Sequence, residues 1–470
     1  MELRRKRRTV QPAGPLDGGY GWFIVLSTFL GFGLTFGVIK SFGVFFVEIH
    51  HYFATTATAS SWITSISVAT VHFGAPVGSA LSAYFGHRPV VMAGGLLSSI
   101  GMVAGSYAQD LLQLYITVGF LTGFGYALTW TPTVTMLGWY FDKRRPVANA
   151  LASTGECVLT FILTPSFQFM VDQYSWRGAM LILGALQLNL CLCGALLRPL
   201  NRHVPSKELV EEKEPELEML PQPHVDSRSL QNGSDSKKSD PLKVKIIRYV
   251  DYTLIANARF MVYSMFGVFA ALGFFAPSLF LVPYARSQGV EEYQAAALMS
   301  ISSALDLLGR VLFGWVANLR LVETVHQLIV TVILLGIVLL LCPFATTFTQ
   351  LALFSASYGL VFGATVAIHI TVLADVVGVE RLGSALGFFM LIRSSGGLLG
   401  PPLAGIFIDK MSDYGTGFLM AGVALLVSAL FLLVLQKMNK KETGKVKDVN
   451  LENRKGHEDL KHRRFSFRKS

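Results

Sequence analysis

Lys40, Glu156, Asp306, Arg310 and Arg393 each lie inside a stretch otherwise long and apolar enough to cross a bilayer. A charged side chain at the centre of a membrane helix costs roughly 2.5–3.5 kcal/mol on insertion scales, so such residues face a partner or a water-filled cavity. The five point to a pathway for something charged. Asp306 and Arg310 are four apart, so a helix places them on one face where they can pair. That pair is either a structural ion pair that neutralises its own insertion cost, or a cavity-lining acid and base whose contact is broken and remade. Lys40, in Gly37-Val-Ile-Lys-Ser-Phe-Gly43, also has two readings. It can snorkel to the interface. Alternatively, partly desolvated, it exchanges its proton near neutral pH and offers a cation to a carboxylate.

The elements that hold these residues must be membrane helices. Of 470 residues 52% are hydrophobic and only 15% charged, and the mean hydropathy is +0.49. Those values describe a polytopic membrane protein and exclude a soluble multidomain chain. No small-residue cleavage site follows the first apolar run, so the basic start from Met1 to Arg8 does not read as a signal peptide. The net charge of +10 lies in both tails and in alternate loops, which argues for cytoplasmic retention and against nucleic acid. Cys157, Cys191, Cys193 and Cys342 fall in apolar runs and read as small buried hydrophobes, not as a disulfide framework or a metal site. No cofactor is expected.

Twelve spans are predicted, the first near 20–47, the fifth and sixth near 146–170 and 177–199, and the last near 415–437. His87-Arg88, Lys143 to Arg145, Arg320 and Arg381 then share one side with both tails, against Arg177, Arg286 and Lys410 on the other. This asymmetry places both termini in the cytoplasm. The composition turns polar and charged in the middle, giving five segments. They are a cytoplasmic tail 1–19, a six-helix bundle 20–200, a largely disordered cytoplasmic linker 201–255, a second six-helix bundle 256–437 and a basic tail 438–470, most simply a solvated anchor near anionic lipid. The halves look like a distant repeat. Ala148-Asn-Ala-Leu151, Thr164-Pro165 and Tyr174 to Gly178 are echoed in order by Gly383-Ser-Ala-Leu386, Gly400-Pro-Pro402 and Tyr414-Gly415.

Gly314 to Asn318 with Arg320 resembles the loop signature of the major facilitator superfamily, whose fold is all-α, with twelve transmembrane helices in two six-helix bundles around a midplane site. Asp17-Gly-Gly-Tyr-Gly-Trp22 and Tyr140 to Gly155 closely resemble the two signature motifs of the monocarboxylate transporter family, solute carrier family 16. The likeness extends over nearly all of residues 16–438. The residues themselves have a plainer reading in folding and topology: aromatic rings at the interface, a basic anchor, and Pro146 at a helix start.

What the resemblance implies is a plasma-membrane carrier that moves small monocarboxylates of the lactate, pyruvate or ketone-body type together with a proton, by alternating access. Lys40, Asp306 and Arg310 match the coupling residues of its lactate-transporting members. The implied cycle has Lys40 take a proton, the carboxylate pass toward Arg310, and Asp306 accept the proton as the bundles rock. Arg144, Arg145 and Asn149 are candidates for an inner gate. A single-span immunoglobulin-type chaperone, basigin or embigin, is the implied protein partner, alongside membrane lipid. Glu156 and Arg393 depart from the lactate-type pattern, and Ser153-Thr-Gly-Glu-Cys157 resembles the monocarboxylate transporter 7 branch, associated with ketone bodies and taurine. These two residues, with His72, Trp130 and His369, are the candidates for substrate selectivity, although helix packing with a local hydrogen bond explains the last three as well. The extra opposite charges favour an alternative, a proton-independent facilitator of a larger or zwitterionic solute such as taurine or an amino acid. No His-Glu-x-x-His or nucleotide-binding glycine loop supports an enzyme.

Overall fold

The computed structural model describes residues 18–141, 144–198, 254–318, 322–378 and 381–466. The tail residues before Gly18, including Asp17, lie outside it, as do Lys143, Arg320 and most of the expected linker. Eleven continuous helical stretches among the described residues are long and apolar enough to span a membrane. One of them, running from Arg145, is broken by the non-helical backbone of Ser175 (φ 59°, ψ 171°), so it makes two spans and the total is twelve. The break falls between the fifth and sixth spans expected from sequence.

In chain order the helices are α1 (Gly21–Ser41), α2 (Ala57–Phe85), α3 (His87–Ser106), α4 (Leu111–Tyr140), α5 (145–174), α6 (176–196), α7 (Ala258–Ser287), α8 (Glu292–Asn318), α9 (Thr324–Leu341), α10 (Phe348–Val377), α11 (Leu382–Met411) and α12 (Gly415–Ser466). Helices α1 to α6 form one bundle and α7 to α12 the other. They meet along two seams, α2 against α11 and α5 against α8. After α1 the helix resumes at Gly43–Tyr52, so this first element is longer than the apolar run suggested. At the other end of the chain α12 stays helical to Ser466, through the stretch expected as a solvated tail. That stretch is rich in Lys, Glu and Arg and contains no proline, the residue that most strongly ends a helix.

The two signature motifs pack on each other at the end of the molecule that carries the termini. Tyr20 donates through its hydroxyl to the Leu196 carbonyl (2.8 Å) and its ring lies 6.3 Å from that of Tyr140. The Trp22 ring meets Phe141 edge-on at 5.6 Å. These contacts give both motifs a structural task, joining the start of α1 to the ends of α4 and α6.

Close helix approach is set by small residues, as in membrane bundles generally. Helix α1 carries a widened π-helical turn at Gly33–Gly37, directly before Lys40. Opposite it Gly155 of α5 lies so near the Phe29 backbone that any side chain would overlap it. In the second bundle Gly363 of α10 sits against α8, where an added Cβ would overlap the Asp306 carbonyl oxygen and lie 2.9 Å from its Oδ1. These two glycines therefore fix where the charged residues stand. Gly363→Ala is expected to destabilise the purified protein by about 1–3 kcal/mol through overpacking. Gly314→Ala, where the nearest atom is 4.0 Å away, should be neutral. Thermal unfolding of the two variants in detergent measures the difference, and equal melting temperatures would remove Gly363 from this role.

Candidate functional site

Between the bundles lies a cavity of about 2090 Å³, lined by residues from both halves. It reaches Trp139, Val147, Thr324, Asp375 and Lys440, and so opens at the end where α4, α10 and the apolar part of α12 finish and α5 and α9 begin. At the opposite end three cross-bundle contacts close it. Arg286 of α7 pairs with Glu48 (3.1 Å) and with Glu292 at the start of α8. Gln168 of α5 donates to Glu292 (3.2 Å). Asp409 of α11 caps α2, its Oδ1 accepting from the Ala57 N–H (2.8 Å) and its Oδ2 from the Thr58 N–H (3.0 Å) and hydroxyl (2.5 Å). A carboxylate at a helix N-terminus satisfies otherwise orphaned donors and complements the helix dipole.

Four of the five charged residues converge on the cavity wall. The Lys40 ammonium lies 2.7 Å from Glu156 Oε1 and 2.9 Å from Asp306 Oδ2. Arg310 donates through Nε to Asp306 Oδ1 (2.8 Å) and through Nη2 to Asp306 Oδ2 and Glu156 Oε2 (3.1 Å each). Its Nη1 reaches the Ser153 carbonyl (3.3 Å). The result is a closed ring of two cations and two anions. Lys40–Glu156 lies within the first bundle and Asp306–Arg310 within the second. Lys40–Asp306 and Arg310–Glu156 cross the gap between them. Asp306 is 2% exposed and Arg310 9%, so this is a buried network whose members depend on one another. Lys40 does not snorkel: its ammonium points into the ring and lies 4.6 Å from the face of Phe362.

Arg393 stands apart. It lines the same cavity from α11, its guanidinium 5.4 Å from the face of Phe274, and among the described residues it makes no ion pair or hydrogen bond. His72, Trp130, His369 and Asn149 line the cavity too. The His72 and His369 Nδ1 atoms lie 2.8 and 2.7 Å from the Val68 and Val366 carbonyls. Trp130 packs edge-on against Phe32 and Phe36, and its buried Nε1 has no hydrogen-bond partner among the described residues. Arg144 is exposed at the start of α5 and does not line the cavity, and the Arg145 side chain lies outside the described residues. Sequence reasoning missed the far-end closure. Asp409 offered one signal, a lone acid ending the apolar run Ile406-Phe407-Ile408, but nothing in the sequence names its partner on α2.

Twelve helices in two bundles, with one cavity open at one end and latched at the other, define a membrane carrier of the major facilitator type. The Major Facilitator Superfamily model matches residues 24–325 and 325–469. Monocarboxylate transporter 2 of Homo sapiens is 36% identical over 435 residues, covering 90% of this chain and 87% of that protein. Monocarboxylate transporter 7 of Homo sapiens is 36% identical, with 89% and 87% covered, and monocarboxylate transporter 13 of Bos taurus is 38% identical, with 90% and 91% covered. The chain belongs to the major facilitator superfamily and, within it, to the monocarboxylate transporter family, solute carrier family 16. It is a transporter and not an enzyme. Among solved structures, the nucleoside transporter NupG has a TM-score of 0.65 at 13% identity, with 89% of this chain and all of that one covered. A bacterial homologue of the human lysosomal transporter Spinster, in an inward-facing and occupied conformation, also scores 0.65, at 16% identity with 89% and 98% covered. Both show the shared fold.

The ring makes a stability prediction. Asp306→Ala leaves two buried cations short of partners and is expected to cost about 3–5 kcal/mol. Replacing Lys40 and Glu156 together by Met and Leu removes one neutral pair and leaves the other intact, so the double variant should be the more stable of the two. Thermal unfolding ranks them, and the reverse order would show that the ring does not act as two balanced pairs.

Proposed function

We propose that this chain is a plasma-membrane symporter that moves small monocarboxylates with a proton by alternating access, with both termini cytoplasmic and the cavity facing inward. The observation that carries the reading is the charge ring at the bundle interface. Its arms divide into those within a bundle and those between bundles, so the halves can part with every charge keeping one partner. A proton taken up by Asp306 or Glu156 weakens a crossing arm. A proton and a monocarboxylate arriving together leave the charge of the cavity unchanged, so loaded and empty carrier face the same electrostatic cost in crossing. Lys40, Asp306 and Arg310 are the coupling group. Glu156, with Arg393, His72, Trp130 and His369, tunes the substrate, and Asn149 sits toward the inner mouth with Arg144 and Arg145 before it. The names of the relatives support a monocarboxylate as substrate, and family membership supports basigin or embigin as chaperone.

Arg393 favours a second reading. With it the five charges sum to +1 before any proton binds, which suits uptake of an anion or zwitterion without a proton. The two readings differ in one measurement. Proteoliposomes holding the purified protein should accumulate labelled pyruvate or 3-hydroxybutyrate faster under an inward proton gradient, and Lys40→Ala should lower the gradient-driven component about tenfold or more, a loss of at least ~1.4 kcal/mol in transition-state terms. Uptake indifferent to the gradient would reject symport, and wild-type rates from Lys40→Ala would take Lys40 out of the coupling.

A further inference from the structure

The ring ties the bundles with two crossing arms, Lys40–Asp306 and Arg310–Glu156. The other seam, α2 against α11, is held at the latched end by the Asp409 cap. From there the two helices run antiparallel in a clear register. Gly405 packs on Thr58, and Gly397 packs on Val68. One turn further along each helix, on the same faces, stand Arg393 and His72. Both line the cavity, close enough to interact electrostatically. No hydrogen bond joins them.

The state of His72 follows from its neighbour. Its Nδ1 lies 2.8 Å from the Val68 carbonyl, an oxygen that can only accept, so Nδ1 carries the hydrogen. In the neutral ring Nε2 is then a bare acceptor. Unlike the His369 Nε2 it is not sealed inside the protein, and His72 borders the cavity. The other groups about this ring bring no charge to it. Helix α1 presents Phe36, 6.4 Å away between rings, and α4 presents Trp130 beside it. Tyr126 of α4 and Phe275 of α7 pack in the apolar cluster around Val68 and Val71, with the Tyr126 hydroxyl tied to Gln187. His369 of α10 interacts with Arg393, and Lys40 of α1 is engaged in the ring. Arg393 is thus the charge that acts on His72. Two cations on these residues would repel each other, and a carboxylate between them attracts both.

Resting on the symport reading above, we infer that the substrate carboxylate is held between Arg393 and His72, and that the proton travelling with it sits on His72 Nε2 while the carboxylate is bound. The Nε2 lone pair takes the proton from water. The imidazolium N–H then donates to one carboxylate oxygen and the guanidinium to the other, and on release the proton returns to water. Arg393 gives the empty site a charge of +1, and a proton with a carboxylate adds nothing to it. A proton on Asp306 would instead leave Lys40 and Arg310 facing one full carboxylate fewer, so the ring can pass a proton but is a poor place to keep one. The bound pair also ties α2 to α11, giving the second seam a crossing contact that exists only in the loaded carrier.

Calorimetry of pyruvate binding to the purified protein, repeated near neutral pH in buffers of different ionisation enthalpy, counts the protons taken up with each anion. The wild-type protein should take up about one, and His72→Gln and His72→Asn none. Both variants should still bind pyruvate, about tenfold more weakly, because an amide replaces a charge-assisted donor. In proteoliposomes they should carry pyruvate as a bare anion. Their uptake should no longer acidify the lumen, and an inside-positive potential should drive it, whereas wild-type uptake ignores the potential. Arg393→Gln should weaken binding about tenfold or more, with Arg393→Lys recovering part of the loss. Melting temperatures identify the folded variants, and two substitutions at His72 guard against the loss of one. A folded His72 variant that still takes up a proton with each pyruvate, or that binds no pyruvate, overturns the inference and leaves symport standing. Unchanged affinity in Arg393→Gln overturns it as well. Wild-type protein that binds pyruvate without a proton, or not at all, rejects the symport reading and this inference with it.

Discussion

The requirement that no charge be left alone in a low-dielectric interior shapes the centre of this protein. Lys40, Glu156, Asp306 and Arg310 meet it by closing a ring, and the neighbouring architecture serves that closure. The π-helical turn precedes Lys40 on α1, Gly155 lets α1 and α5 approach, and Gly363 lets α10 settle against the backbone of Asp306. The α5–α8 seam brings Glu156 to Arg310. Moving any of these helices by the width of a methyl group would leave an ion in the wrong place. That is why the small residues matter as much as the charged ones.

The two ends of the cavity are built on different physics. The latched end uses groups partly open to solvent, the Arg286 pairs and the Asp409 cap, whose individual contributions are modest and easily exchanged for water. The central ring is buried and cannot make that exchange. A carrier assembled this way can break its peripheral contacts cheaply while its centre stays neutral throughout.

Much of this was legible from the chain because charge inside an apolar run is costly enough to stand out. All five residues that did so line the cavity, and the i, i+4 spacing of Asp306 and Arg310 correctly announced their pairing. The twelve spans were legible for the same reason, as was the break ahead of Trp176. Partners far along the chain were not. Lys40 meets Asp306 across 266 positions and Asp409 meets α2 across about 350, and no local pattern encodes such a meeting. The signature motifs declared the family, but not that Tyr20 and Trp22 pack on Tyr140 and Phe141. The isolation of Arg393 was also invisible, since whether a cation has a partner depends on what the other bundle presents.

The division of the ring has a consequence for how the chain is made. Lys40 and Glu156 enter the membrane before Asp306 and Arg310 have been synthesised, yet they already balance each other at 2.7 Å. The second bundle likewise arrives with its own pair on successive turns of α8. Each half can therefore leave the insertion machinery with its share of the ring already balanced and wait for the other, so assembly of the finished carrier becomes the docking of two prefabricated parts.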